Sequence, residues 1–495
     1  MIIPCLSKKI AELSFYCIIF SAKRKVYFVN FIFFFFFLDL YDEKRYNFNI
    51  ANHCSSLSSE INFNIYERIV DMDLQAIIKS LENCPCGRYH AFDLKTYEAE
   101  RGLVHKVGDI LKQSGFPKKI YIVSDENAMR VSEGILETLA DFEYELKVYP
   151  DMRYAYLSTS REIMDAAKNF DGILSIGTGS VNDVCRYAAA QTDKAFAIFA
   201  TAPSMDGFAS DSAPLIENNF KISYPCRQPS VVIADTDILA AAPIELKAAG
   251  FGDILGKYVG VVDWKVANYT VGEYYCENIV RMVKKAVADV VAMADKITAN
   301  DPEAAKSVMD SLILTGCAMQ LAKSSRPASG SEHVVSHYWE IHKLEKGIWP
   351  DFHGKKVGIA TLLVVRLYRK LLAYKAIEPH AEALDLEDVF KHYSPKNRDE
   401  IIGYNVPNPT DEIDPAVLKA RWSDILDSIE NDLPTEQELY DMMVASGCTI
   451  ELADANLTKE FAKEALIYSP FMRRRITLLR IINMLGIDTE DLYHC

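Results

Sequence analysis

Gly172-Ile173-Leu174-Ser175-Ile176-Gly177-Thr178-Gly179-Ser180-Val181-Asn182-Asp183 is the stretch that decides the fold. Its first six residues are apolar or small and read as a strand buried on both faces. Two glycines turn the chain, and residues 181–190 continue with helical spacing of apolar side chains. A buried strand passing through glycine into a helix is the building unit of parallel sheets. Glycine at such a turn lets the backbone approach a diphosphate, and the helix start offers free N–H groups and a positive dipole end. Asn182 occupies the last position of a Gly-x-Gly-x-x-Gly fingerprint, so the motif is incomplete. Taken alone it also fits an ordinary strand-to-helix turn.

Working outward, the same alternation recurs. Residues 119–125, 145–149, 195–201 and 231–235 read as further strands, and residues 132–140 and 160–169 as helices between them. The expectation is a Rossmann-like α/β domain with a parallel sheet covered on both faces. After about residue 240 the pattern is almost wholly helical, as in 277–296, 304–322, 416–430 and 459–485. We therefore expect a dinucleotide-binding α/β domain over 72–240 and an α-helical metal- and substrate-binding domain over 241–495. The cleft between two such domains is a usual place for a site.

A chain of 495 residues has room for this. Its formal charge of −15 argues against a nucleic-acid partner. An anionic small substrate remains compatible, because a few cations suffice in one cleft. The eleven Cys are scattered and read as reduced thiols. Cys84-Pro85-Cys86-Gly87-Arg88-Tyr89-His90 is the one local cluster. Cys-x-Cys lacks the second pair that a closed zinc site needs, so a turn with incidental thiols is preferred here.

Residues 1–71 differ from the rest, being rich in Phe, Ile, Asn, Lys and Tyr, with five consecutive Phe at 33–37. The apolar run 26–38 is short for a membrane span. No small-residue cleavage site follows it. These are the amino acids of A/T-rich codons, and Met72 opens ordinary globular composition. Residues 1–71 therefore read as translated upstream DNA with the working protein starting at Met72; an anchor or leader is the other reading.

Candidate chemistry clusters in few places. His333 and His337, in Ser329-Gly330-Ser331-Glu332-His333-Val334-Val335-Ser336-His337, stand four apart and share one helical face. His353 precedes Gly354, and Asp253 lies in Gly250-Phe251-Gly252-Asp253-Ile254. Imidazoles and a carboxylate are the ligands of a borderline divalent metal. Singly, each has an ordinary role: Asp253 a helix cap, His353 a helix C-cap, and the paired histidines half-buried packing. The run Thr201-Ala202-Pro203-Ser204-Met205-Asp206-Gly207-Phe208-Ala209-Ser210 follows a strand, where parallel sheets bind ligands. Asp125, at another strand's end, suits a ribose hydroxyl or a cap.

Together these motifs resemble the sn-glycerol-1-phosphate dehydrogenases, in particular the bacterial AraM-like branch, within the iron-type alcohol dehydrogenase and dehydroquinate synthase-like superfamily. The resemblance spans Met72 to the C-terminus. It implies reversible reduction of dihydroxyacetone phosphate to sn-glycerol 1-phosphate by NADH or NADPH, with one divalent metal, zinc or nickel. It places the dinucleotide on Asp125, Gly177, Thr178, Gly179, Ser180, Val181, Thr201, Ala202, Pro203, Ser204 and Ser210. It places the metal on Asp253, His333 and His353, and the substrate on Asp206, Asp253 and His337. Asp253 and His337 are then the catalytic residues, with His337 as proton donor or relay. Lys257, Arg326, Lys355 and Lys356 are the cations near the motifs for the substrate phosphate. The resemblance further implies a cytoplasmic homodimer, with no membrane association for the form starting at Met72. Other readings are a glycerol or polyol dehydrogenase of the same superfamily, a dehydroquinate synthase-type lyase, and a non-catalytic nucleotide- or metal-binding relative.

Overall fold

The computed structural model describes residues 74–217 and 220–493. The expectations for residues 1–71 lie outside the described residues.

After a short helix, α1 (Leu74–Ser80), the chain enters a sheet of six strands. These are β1 (Thr96–Glu100), β2 (Lys119–Asp125), β3 (Glu143–Tyr149), β4 (Gly172–Gly177), β5 (Ala195–Ala200) and β8 (Val231–Asp235). Their order is β1-β8-β5-β4-β2-β3, and every pairing is parallel. β4 is buried along its whole length, as its apolar run requires. Helices α2 (Glu126–Val131), α3 (Leu157–Ala166) and α4 (Gly179–Gln191) follow strands β2, β3 and β4. From β2 the chain steps outward to β3, then returns to β4 on the other side and continues to β5 and β8. The carboxyl ends of β2 and β4 therefore flank a reversal in strand order, where open α/β sheets form a ligand crevice. Asp125 and Gly177 end those two strands.

Local details depart from the pattern reading. The helix expected over 132–140 is instead α2, placed earlier, and a 3-10 turn at Leu136–Leu139. Gly134, at φ +90°, interrupts it with a left-handed residue. β1 escaped the reading because an edge strand is half polar. So did the antiparallel ribbon of β6 (Ser212–Glu217) and β7 (Phe220–Pro225), whose Pro214 and Pro225 argue against a strand. The single helix expected over 459–485 breaks into Lys459–Tyr468 and Leu478–Ile481, with Pro470 between them.

The helical part carries α5 (Ile244–Leu255), α6 (Lys257–Val271), α7 (Glu277–Val291), α8 (Pro302–Ala322), α9 (Ser331–Glu345) and α10 (His353–Lys370). Their apolar faces share one core that includes Trp339, Tyr338 and Tyr368. α10 lies along α5, and that contact positions the site below. Among the described residues no helix is long and apolar enough to cross a membrane.

Candidate functional site

Three helices bring Asp253, His333 and His353 together. Asp253 sits in the last turn of α5, His333 in the first turn of α9, and His353 opens α10. One ligand atom from each lies within 4.8 Å of the others. Asp253 is thus inside a helix rather than capping one, and His353 begins a helix rather than ending one. The approach depends on glycine. A Cβ at Gly354 would meet the Ala249 carbonyl oxygen at 1.8 Å, so only glycine lets α10 start directly on α5. At Gly250 a Cβ would meet the Pro203 carbonyl oxygen at 2.0 Å, which seats the loop after β5 on the same helix.

The electrostatics suit a cation. Lys257 Nζ, fully buried, donates to Asp253 Oδ1 at 2.8 Å and to Asp206 Oδ2 at 2.7 Å. The Asp206 N–H donates to Asp253 Oδ2 at 2.8 Å. Burial alone would raise Asp253, but Lys257 and His333 hold it well below the usual carboxylate range. Asp206 is pushed up, by burial and by Asp253, so of this coupled pair Asp253 keeps the charge. His333 Nδ1 contacts Glu332 Oε1 at 2.6 Å, which turns Nε2 toward Asp253 Oδ1, 3.4 Å away. Burial opposes protonation of His333, yet the two carboxylates lift it to about 9. The carboxylates of Asp253 and Glu332 on either side of His333 bring to this point the negative charge that suits a divalent cation. His353 is held far below its ordinary value, first by burial, and so carries the free lone pair a ligand needs. Two imidazoles and a carboxylate therefore fit a divalent metal here.

Residues unnoticed in the sequence support these side chains. Besides Glu332, Asp263 anchors the start of α9: it accepts from the Ser331 N–H at 2.7 Å and from Tyr368 Oη at 2.8 Å. Glu332 stands next to His333, so adjacency was an available signal; Asp263 offered none.

His337 lies beside the cluster, its ring centroid 6.3 Å from that of His333 and 5.7 Å from that of His353. Its Nδ1 contacts Glu340 Oε2 at 3.2 Å. Glu340 Oε1 accepts from Lys356 Nζ at 3.0 Å and from Lys221 Nζ at 2.9 Å. Burial lowers His337 to about 4, while Lys221 and Lys356 outweigh burial and hold Glu340 well below the carboxylate range. The imidazole is then neutral, Nδ1–H donates to Glu340, and Nε2 is an acceptor.

Of the four expected phosphate cations, only Lys356 belongs to this group without being tied to Asp206 and Asp253. Lys257 is committed to Asp206 and Asp253. Arg326 pairs with Glu273 and the Ile476 carbonyl, and Lys355 with Asp351 and the Asp454 carbonyl. Lys221 was missed because β7 was missed.

The expected dinucleotide residues gather at the carboxyl edge of the sheet. Thr178 caps α4 without a side-chain hydrogen bond, leaving first-turn N–H groups for an anion. Val181 is fully buried, so only its backbone can meet a ligand. Ser180 Oγ donates to the Arg153 carbonyl at 2.9 Å, and Asn182 Oδ1 accepts from Ser175 Oγ at 2.8 Å. Thr201, Ala202, Pro203 and Ser204 follow β5 as a buried loop, and the Thr201 N–H donates to the Gly177 carbonyl at 3.2 Å. Ser210 Oγ lies 3.1 Å from Ser212 Oγ. Asp125 caps α2, one oxygen accepting from the Ala128 N–H at 2.8 Å. Buried Arg186, also missed, pairs with Asp183 at 2.9 Å and donates to the Gly207, Phe208 and Ser212 carbonyls. It fixes the loop that carries Asp206.

Comparison with known proteins agrees with this layout. The family described as iron-containing alcohol dehydrogenase matches residues 98–243. The chain is 29% identical over 410 residues to a glycerol-1-phosphate dehydrogenase [NAD(P)+] of Halalkalibacterium halodurans, covering 81% of this chain and 95% of that one. It is 35% identical over 316 residues to the protein of that name from Geobacillus thermodenitrificans, covering 61% and 76%. Among solved structures, glycerol dehydrogenase from Schizosaccharomyces pombe superposes with a TM-score of 0.55 at 16% identity, over 82% of this chain and 88% of that one.

Proposed function

We propose that this chain, which belongs to the glycerol-1-phosphate dehydrogenase family, reduces dihydroxyacetone phosphate reversibly to sn-glycerol 1-phosphate with NADH or NADPH. The observation that carries the reading is the adjacency of two groups. Asp253, His333 and His353 form a metal-type cluster, and beside it His337 opens onto Lys221, Glu340 and Lys356. In this reading residues 72–240 carry the dinucleotide, and residues 241–495 carry the metal and most of the substrate site.

Asp253, His333 and His353 would hold a divalent metal, zinc or nickel, which would supply Lewis acidity toward the substrate carbonyl, and the dinucleotide would supply the hydride. The chain's own residues do the rest. Lys257 holds Asp253 and Asp206 in fixed orientation and balances their charge. His337 Nε2 accepts a hydrogen bond from the hydroxyl next to the carbonyl and orients it, and the proton that the reduced oxygen needs comes from solvent water. This reading gives His337 an acceptor's part in place of the donor or relay role expected from the sequence, and the Glu340 contact at Nδ1 supports it. Two ammonium groups share one carboxylate at Glu340, leaving one positive charge in surplus for a phosphate. Asp125 keeps one oxygen for a ribose hydroxyl and disfavours a 2′-phosphate, which tilts the choice toward NADH. A phosphorylated triose and NAD(P)H are soluble metabolites, so this reading puts the enzyme in the cytoplasm; the homodimer is implied by the family resemblance alone and is tested by size-exclusion with light scattering.

A dehydrogenase for unphosphorylated glycerol would have no use for the surplus charge. The deciding measurement is NADH and NADPH oxidation with dihydroxyacetone phosphate and with dihydroxyacetone, with added zinc or nickel. Turnover of the phosphate ester alone is expected. Equal turnover of both compounds would remove the phosphate role, and no oxidation of either with either metal would remove the reaction.

A further inference from the structure

Cys84 and Cys86 do not stand alone. The fold brings His90 and Cys276 to them, and one ligand atom from each of the four lies within 4.8 Å of the others. Cys86 Sγ is 3.1 Å from His90 Nε2, Cys84 Sγ is 3.5 Å from Cys276 Sγ, and Cys276 Sγ is 3.9 Å from His90 Nε2. In a tetrahedral site with Zn–S near 2.3 Å and Zn–N near 2.0 Å, neighbouring ligand atoms are separated by roughly 3.5–3.8 Å. The observed spacings bracket that edge. His90 and Cys276 are buried, Cys84 is nearly so, and Cys86 is half-buried.

The surroundings are those of a metal's ligands rather than of idle thiols. His90 Nδ1 faces the Leu321 carbonyl at 2.8 Å, so it carries the hydrogen and Nε2 presents its lone pair to the sulfurs. Asn278 Nδ2 donates to Cys84 Sγ at 3.2 Å, and Tyr274 Oη lies 3.4 Å from Cys86 Sγ. Such donors spread the charge of bound thiolates. Cys276 is the N-cap of α7, where the helix dipole favours a thiolate. The Arg88 guanidinium lies 3.5 Å from the centroid of the Tyr274 ring, whose hydroxyl contacts Cys86.

We propose that Cys84, Cys86, His90 and Cys276 form a second metal site, a closed Cys₃His site for zinc. It shares no residue with the Asp253 cluster and stands whether or not the reaction proposed above is right. Soft thiolates select zinc over magnesium or calcium, and four protein ligands leave no position for substrate, so the site is structural. It ties the segment between α1 and β1 to the start of α7 and to α8. The Cys-x-Cys turn lacks its other ligand pair in the local sequence alone. His90 supplies one member, and Cys276, 186 residues beyond His90, supplies the other.

The test uses the full chain, prepared reduced and loaded with zinc, with metal counted by plasma mass spectrometry. The wild type should hold two equivalents, His333→Ala one, and Cys276→Ser one. Cobalt substitution distinguishes the sites: sulfur-to-cobalt charge-transfer absorption should persist in His333→Ala and vanish in Cys276→Ser. Should Cys276→Ser fail to fold, the wild type still decides. Its Cys84, Cys86 and Cys276 should resist a thiol reagent until a strong chelator is added. One zinc per wild-type chain with no thiolate–cobalt absorption would overturn the proposal. So would immediate modification of all three thiols in the zinc-loaded chain, or a Cys84–Cys276 disulfide recovered from freshly reduced and reloaded protein.

Discussion

Glu332 holds His333 by Nδ1 and keeps its own Oε2 buried without a partner. A buried carboxylate beside a ligand raises that ligand's basicity and fixes its ring, and losing such a partner typically costs 10–100-fold in metal affinity. Glu332→Gln should therefore weaken zinc at this site by about that factor, read by competition with a chromophoric chelator. Unchanged affinity would mean that Glu332 only fills space. His333→Ala and His353→Ala should each lose this metal and all activity. His337→Asn should lower activity while the metal count stays fixed, since His337 contacts Glu340 and stands outside the ligand group. Replacing Lys221 by Met should raise KM for the phosphorylated substrate by roughly tenfold, the effect of about 1.4 kcal/mol, with metal content unmoved. Asp253, His333 and His353, which the fold brings together, were legible in sequence as candidates because His and Asp carry their chemistry in the side chain. Lys221, Glu332 and Arg186 were not, because what they do depends on partners set by the tertiary fold.

At the scale of elements, the crossing of α5 and α10 is the device that assembles the ligands. The helix interface has no room at Gly354, where a Cβ would sit 1.8 Å from a backbone oxygen. Backbone has to move to admit it. Gly354→Ala should cost about 1–3 kcal/mol or more, as overpacked cores do, and should loosen the metal because His353 is the adjacent residue. Gly403, in the helix Arg398–Asn405, has nothing within 4 Å of its would-be Cβ. Gly403→Ala should be neutral or stabilise by roughly 0.5–1 kcal/mol. Urea unfolding of the two variants separates steric wedging from the loss of glycine as such. A similar cost in both would refute the close-approach argument. The buried strands β2, β4 and β8 were readable to the residue, since short runs dominated by Ile, Val, Leu and Tyr between polar or glycine ends leave little choice. The ribbon of β6 and β7 was not, because its prolines disguise it. The Gly354 contact was not readable either, since only the docking of two helices creates it.

For the whole molecule, the order of sheet then helices was legible from periodicity alone, while the four ligands at residues 84, 86, 90 and 276 meet only once the chain is folded. Acid stability is a property at this scale, because several buried groups oppose one another. His337 and His342 are each lowered by burial from 6.5 to about 4. Between about pH 6.5 and 4 the unfolded chain binds protons that the folded one refuses, so these two lose stability as pH falls. Asp183 and Asp263 are pushed up to about 7 and about 6, again first by burial. There the folded chain binds protons first, so those two gain stability over the same fall in pH. Each group contributes at most about 1.4 kcal/mol per pH unit, and the opposed pairs flatten the profile of the wild type. His342 can be removed from this balance without touching the ligands. Its ring packs 4.2 Å from that of Tyr338 and near Phe461 and Tyr393, and its Nε2 is buried without a hydrogen-bond partner. Phenylalanine fits that aromatic setting and carries no proton. His342→Phe should raise the urea midpoint at both pH 8 and pH 5, and more at pH 5, where the wild type alone has an imidazole resisting its charge. An equal rise at the two pH values would mean that His342 is not held unprotonated in the fold.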